Sequence, residues 1–547
     1  MTNAAFATTI KHPGLFQGMT WQGPVESIAF DEAGMQACLS QLDLPCYVVR
    51  QGVQTGMTTT GSLVPVQSAD AGGLEMIAAA NAMPTDQFGD PDFMRMYGVQ
   101  YAYMVGSMAN GISSADLVVA IGKAGCLGSF GSAGLSPARI EEAIQKIQAA
   151  LPNGPYAFNV IHNPNEPNLE RKAVELFLQN GVHVVEASAF LSLTPNIVQY
   201  RAAGLSVSPA GEIQIGNRIL AKVSRKEVAT KFMEPAPQKI LAQLVEEGRI
   251  TQQQAILAEK VPVADDITVE ADSGGHTDNR PLVALIPSMI GLRDEIQQKF
   301  HFLQPVRIGA AGGIATPEST LAAFMMGAAY VLTGSINQGC VEAGSSAHTK
   351  SILAQAAMTD VTMAPSADMF EMGVKVQVLK ARTLFPMRAS KLFELYNRYD
   401  SLEAIPVEER EKLEKQIFQR TCETVWEDTV KFFKERDPEQ IVRANANPKR
   451  KMALVFRWYL GLSSRWSNSG EPGREMDYQI WCGPSMGAFN DWTKGTYLED
   501  VNNRRVADIA FQLLNGAAYH YRVQSLQTQG VQIPLGIARY RPTAPLI

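Results

Sequence analysis

The chain has 547 residues, 46% of them hydrophobic and 19% charged, a composition that builds large cores and excludes a disordered chain. Its net charge is 48 − 54 = −6 with no basic block, which leaves no electrostatic footprint for nucleic acid or an anionic membrane. The 6 cysteines are scattered without a CxxC pair, so neither a thiolate metal site nor a disulfide framework is expected, and reduced thiols in the cytoplasm are.

Residues 1–17 mix polar side chains with Lys11 and His12 and lack the apolar core of a secretion signal. Residues 1–95 read as a β-rich cap, with short β-type runs at 46–49 and 63–67 punctuated by Gly52, Gly56 and Gly61. Residues 81–92, rich in Pro, Asp and Asn, read as a connection.

A different rhythm begins near Tyr101. Apolar runs at 101–109, 126–132, 156–161, 182–189, 218–223, 267–274, 306–313 and 330–336 alternate with helical stretches such as 137–151 and 169–180. Gly181 follows the latter as a helix C-cap should. Eight apolar strands separated by helices predict an α/β fold with a parallel sheet, and eight is the number that closes a (β/α)₈ TIM barrel, here over 96–345. An open doubly wound sheet also fits the pattern. Residues 224–266 are too long for a plain crossover and predict a helical insertion between strands 5 and 6, on the rim where active sites form. It holds a helix at 240–247 and a second one opened by a Thr251/Gln254 capping box. The uncharged stretch 319–336 follows Thr316-Pro317-Glu318 and is broken by Gly327 and Gly334, so it reads as a buried helix and strand rather than a membrane span. Residues 346–405 read as a segment covering the site, and 406–547 as a mainly helical C-terminal region. Within that region 408–435 predicts one long helix and 506–523 another, with aromatic-dense stretches at 451–466 and 478–492 between them.

Two glycine-rich corners end the last two strands, Gly312-Gly313 and Gly334-Ser335. Glycine lets backbone N–H groups approach phosphate oxygens, and barrels place a phosphate site after these strands. The expected ligand is a phosphorylated cofactor or substrate. The sixth strand ends in Ser273-Gly274-Gly275-His276, which makes His276 the best general acid or polar anchor, because imidazole changes charge near neutrality. The small residues around Gly106, Ser107 and Met108 either let a flat ring lie against backbone or serve tight packing. Asn159 is a polar residue in an apolar strand; a buried amide needs partners, and a ligand ring is one. Lys222 is a charge in another such strand, set either to meet a phosphate or ring or to pair with a structural carboxylate. Cys340 as a nucleophile lacks a histidine partner or a helix start, and His162 stands second to His276. No GxGxxG after a strand, P-loop, HExxH or GxSxG is present.

Several of these strings are shared with a known group. Met104-Val105-Gly106-Ser107-Met108, the corner from Lys123 to Gly128, Asn159, Ser273-Gly274-Gly275-His276, Gly312-Gly313-Ile314 and Thr333-Gly334-Ser335 resemble the FMN-dependent nitronate monooxygenase and FabK-type enoyl reductase superfamily. More narrowly, the strings at 364–375, 457–466 and 480–484 resemble the PfaD-type trans-acting enoyl reductases of polyunsaturated fatty acid and polyketide synthases. The resemblance implies an enzyme that reduces the 2,3 double bond of enoyl thioesters on acyl carrier protein domains, with NADPH as donor and FMN as carrier. It implies FMN phosphate at Gly312, Gly313, Gly334 and Ser335, the flavin ring near Gly106, Ser107 and Asn159, with Met108, Lys222 and Gly275 also among the cofactor-binding residues, and His276 at the catalytic face. The segments 364–375 and 224–266 would wall the acyl channel. A homodimer is compatible with the aromatic C-terminal region. A nitronate-type flavin oxidase, a non-catalytic carrier-binding subunit and a cysteine-dependent dehydrogenase stand as alternatives.

Overall fold

Strands buried on both faces read as near-continuous apolar runs, and eight such runs close here into a parallel barrel. The computed structural model describes residues 16, 18–66, 73–163 and 167–547; the reading of 1–15 and 17, and the end of the expected 63–67 run, lie outside them. In chain order the barrel strands are Tyr103–Val105, Leu127–Phe130, Ala157–Ile161, Val184–Ser188, Arg218–Val223, Asp266–Glu270, Arg307–Ala311 and Val331–Thr333. Each falls within or against one of the expected apolar runs. The ring shuts where Thr333 of the last strand pairs with Val105 of the first. The closed ring excludes the open doubly wound sheet.

The connecting helices follow their local signals. Pro137–Ala150 starts with proline at its first turn and buries Ile140, Ile144 and Ile147 on one face. Pro317–Met325 opens on a Thr316/Ser319 capping box and leads into the last strand. The uncharged stretch there is a helix and a strand, and among the described residues no helix is long and apolar enough to cross a membrane.

The N-terminal region is an antiparallel five-stranded sheet built from Met19–Gln22, Cys46–Gln51, Gln54–Thr58, Ser62–Pro65 and Leu74–Ala80. The C-terminal helix Val506–Thr528 joins it to the barrel. On one side Gly516 lets that helix approach the 317–325 helix, since a Cβ there would sit 2.4 Å from Pro317 Cγ. On the other, the buried Arg522 guanidinium donates to the carbonyls of Cys38, Leu39, Gln41, Leu42 and Leu44. One planar fork thereby satisfies the carbonyl-rich end of the cap helix Glu32–Ser40.

Two expectations are corrected. The insertion forms helices at Lys226–Met233, Gln238–Glu246 and Gln252–Ala258, the last with the predicted capping box. However, Gln254 Nε2 donates to Ala203 O and Arg249 Nη2 to Asn196 Oδ1, while Leu241, Leu244 and Leu257 join the core shared with the barrel helices. Ala203 precedes Gly204, which packs against Asn217 just before the fifth strand begins, so the apolar faces of the insertion draw it to the strand-start side, away from the rim that holds the site. The single helix expected at 408–435 is broken into Val407–Leu413, a π-turn Glu414–Phe418 and Cys422–Arg436. Gln419 takes a left-handed φ of 57°, Glu414 Oε1 caps Cys422 N at 2.8 Å, and Arg474 accommodates the freed carbonyls of Ile417 and Phe418. Periodicity carried through this break because both helices bury the same face.

Replacing Arg522 by Leu removes the donor that five carbonyls share, of which Leu42 O keeps Met83 N. The expected cost is on the order of 3 kcal/mol, read as a lower urea midpoint by fluorescence, and an unchanged midpoint would show that the cap is not held through this fork.

Candidate active site

The strands' C-terminal ends open into a cavity of about 590 Å³. Gly106, Ser107, Met108, Asn159, Lys222, Gly275, His276, Gly312, Gly313, Gly334 and Ser335 all line it, drawn together from the ends of different strands. Residues 224–266 contribute nothing to the lining, whereas Ser366, Ala367, Asp368 and Val376 do. The covering role therefore falls to the hairpin Val361–Pro365/Lys375–Leu379. Gly275 and Gln377 exchange backbone hydrogen bonds of 2.9 and 2.7 Å, and Gln377 Nε2 also donates to Asp272 Oδ1 and Ser273 O. Val378 bridges in turn to Trp481, and Gly483 N donates to Ser335 Oγ. The 480–484 string is thus stitched to the last strand's corner.

The glycines divide by what a Cβ would meet. At Gly106 it would strike Leu332 Cδ2 at 2.6 Å, and at Gly312 the Ala271 carbonyl carbon at 2.7 Å, so close packing demands these two. At Gly275, Gly313 and Gly334 it would meet nothing within 4 Å. Gly313 has φ 74°, which turns the chain so that consecutive amides face the opening. The N–H groups of Gly313, Ile314, Gly334 and Ser335 make no hydrogen bond among the described residues. Unengaged amides around an open, Cβ-free hollow fit the phosphate of a mononucleotide. The fit of this chain's residues to FMN rests on that cradle.

Below the cradle lies a cluster of charge. Lys222 Nζ sits 3.4 Å from Glu186 Oε1 and 3.5 Å from Glu270 Oε1. The carboxylate alternative is the one the structure contains. Glu186, 0% exposed, also accepts from Ser107 N at 2.8 Å, which fixes the turn after the first strand. Burial works against the Lys222 charge, but the two carboxylates override it and hold its pKa above the ordinary lysine value. Burial, aided by Glu186, raises Glu270 despite Lys222. Asn159 is satisfied by protein: its Nδ2 donates to Glu186 O and Ser188 Oγ, both at 3.0 Å, and its backbone carbonyl accepts from Ser132 Oγ.

His276 Nε2 lies 3.0 Å from Asp368 Oδ2. Burial would lower the imidazole, but the Asp368 charge and hydrogen bond, with Glu270 behind them, outweigh it and raise its pKa. Asp368 is correspondingly held down at about 2, burial notwithstanding, by the His276 charge and hydrogen bond. Nε2 is thereby committed to Asp368, and the raised pKa favours the imidazolium, in which Nδ1 carries the second proton. Sequence reading missed Asp368, which reaches His276 across 92 residues. It also missed Glu186 and Glu270, although an acid within an apolar strand is the same signal that marked Asn159 and Lys222. The lesser candidates lie elsewhere. His162, itself outside the lining, pairs with Glu170 at 2.8 Å, and Cys340 is fully buried, its thiol pushed far up by burial, which removes the nucleophile reading. Among the described residues no cluster could hold a metal ion.

Residues 92–417 match the family model described as nitronate monooxygenase. Residues 21–82 match that of the fatty acid synthase subunit PfaD N-terminal domain, and 399–478 that of the inserted helical domain of acyl-carrier-protein S-malonyltransferase. The chain is 48% identical over 512 residues to a polyunsaturated fatty acid synthase subunit of Thraustochytrium sp., covering 92% of this chain and 34% of that protein. It is 46% identical over 444 residues to polyketide biosynthesis protein PksE of Bacillus subtilis, covering 81% and 58%. The chain thus spans less than two thirds of the length of these curated relatives. The enoyl reductase domain of MlnA, from the macrolactin biosynthesis cluster of Bacillus amyloliquefaciens, superposes with a TM-score of 0.77 at 41% identity, covering 81% of this chain and 100% of that domain.

Asp368→Asn removes the charge that outweighs burial at His276. The imidazole pKa is then expected to fall, by about one unit or more, in an NMR titration of the histidine ring protons. An unmoved titration would show that the pair is not an ion pair.

Proposed function

The chain belongs to the nitronate monooxygenase family, in its PfaD-type branch, and from that premise we propose that it is an FMN-dependent enoyl reductase acting on enoyl thioesters of acyl carrier protein domains, with NADPH as donor. The observation that carries the reading is a single cavity in which a Cβ-free cradle of unengaged amides stands opposite an imidazole paired to a carboxylate. The likeness to an enoyl reductase domain, and to subunits of fatty acid and polyketide synthases, supports the substrate class.

FMN, when bound, supplies the hydride carrier between NADPH and the β-carbon of the enoyl thioester. The amides of Gly313, Ile314, Gly334 and Ser335 hold its phosphate, with Gly312 packed beneath them. The backbone from Gly106 to Met108, fixed by Glu186, lines the side where the ring would lie. Lys222 lines the same hollow as a cation held charged by its two acids, and with them would fix the floor on which the ring rests. His276 Nδ1 holds the proton for the substrate's α-carbon, and Asp368 keeps it there by stabilising the imidazolium. The covering hairpin and Trp481, which bridges to it, keep water from the reacting centre.

Stopped-flow absorbance on the purified holoenzyme tests the reading. NADPH should bleach the flavin, and a crotonyl thioester should restore its colour faster than oxygen does. If a nitronate or oxygen restores it and the thioester does not, the enoyl reductase reading falls and the oxidase reading stands. Gly334→Ala places a methyl group in the cradle, where a Cβ meets nothing within 4 Å of protein. It should yield folded, largely colourless protein with flavin affinity reduced at least tenfold, and full flavin retention would move the phosphate elsewhere.

A further inference from the structure

The cavity continues beyond the barrel mouth. Its outer wall comes from the helices Pro167–Gln179, Cys422–Arg436 and Pro448–Ser469. There the lining changes from glycine and small polar groups to Leu169, Lys172, Phe432, Arg436, Trp458 and Arg465. Phe432 is 41% exposed, and its ring lies between two guanidiniums. Arg436, one turn along the same helix, has its guanidinium carbon 5.2 Å from the ring centroid, and Arg465, on the facing helix, 5.6 Å. Among the described residues, two acids reach this part of the wall. Asp428 Oδ2 accepts from Arg420 at 2.6 Å, and Glu170 holds His162 and Thr194. Lys172 has neither ion pair nor hydrogen bond among the described residues. In a chain of charge −6, Lys172, Arg436 and Arg465 gather on this one wall.

Resting on the enoyl reductase reading, we propose that Arg436 and Arg465, with Lys172 from the opposite helix, form a subsite for the phosphate of the pantetheine arm that presents the enoyl thioester. An arm anchored to a macromolecule enters thioester first, so its phosphate stops at the rim while the acyl end goes on to the barrel mouth. Guanidinium matches phosphate oxygens in fork geometry, and the stacking on Phe432 restrains both forks before the ligand arrives. A nicotinamide dinucleotide carries the same phosphate chemistry, and the experiment separates the two sources.

Calorimetry on the holoenzyme with phosphopantetheine and with pantetheine reads the subsite directly. The wild type should bind the phosphorylated form about tenfold more tightly. That preference should fall as salt is added, a measurement that needs no variant. In R436Q/R465Q the preference should shrink to near parity. A wild type without the preference, or a preference that survives both substitutions, overturns the proposal. So does a variant that loses discrimination between NADPH and NADH while still discriminating phosphopantetheine. If the phosphate preference behaves as expected but reduced flavin does not pass hydride to any enoyl thioester, the subsite stands and the enoyl reductase reading alone falls.

Discussion

One buried charge cluster organises the working end of this molecule. Lys222 in the fifth strand is surrounded by Glu186 from the fourth and Glu270 from the sixth, and Glu186 reaches across to the amide of Ser107 after the first. A lysine alone at this depth would cost several kcal/mol, and the two carboxylates hold Lys222 in its charged form. Four strand ends are thereby tied in register by groups that a merely structural barrel would replace with valine or leucine. The cluster is retained at the base of the cavity, which is where a preorganised charge can act on a bound ring.

Around that base the backbone supplies what side chains do not. Gly106 and Gly312 are glycines because neighbouring atoms leave no space for a Cβ, whereas Gly313 and Gly334 are glycines that open onto the cavity and leave amides unengaged. The same residue type thus serves packing and binding within one site. The roof is supplied from far along the chain. The 361–379 hairpin pairs with the loop of the sixth strand and delivers Asp368 to His276, and the 480–484 segment locks onto Ser335. A barrel of this kind without these later segments would leave His276 solvated and without its carboxylate.

The helical C-terminal region extends the cavity rather than merely shielding it. Its helices Cys422–Arg436 and Pro448–Ser469 face the barrel helix Pro167–Gln179 across the outer opening and place aromatics and guanidiniums there. The π-turn at Glu414–Phe418 allows this, because it ends one helix and starts the next with caps of its own. The long last helix then returns to the N-terminal sheet, where Arg522 fastens the C-terminal helix to the N-terminal cap.

How much of this was legible in the residues depends on the range of each interaction. The barrel was readable because a strand buried on both faces must be apolar throughout, and helices between such strands need only local caps and periodicity, as at Thr316, Thr251 and Gly181. The glycine corners and His276 were readable because a strand end fixes where its next residues point. Position in the fold was not readable for the 224–266 insertion, whose amphipathic helices suit either end of the barrel, nor was the break at 414–421, which keeps the helical period on both sides. Asp368 was beyond reach, since nothing in its own neighbourhood indicates a partner 92 residues away. Local chemistry set the strands, their turns and the residues at their tips; only the assembled chain decided which acids met Lys222, which carboxylate met His276, and which segments closed the cavity, because those contacts join residues that no sequence spacing relates.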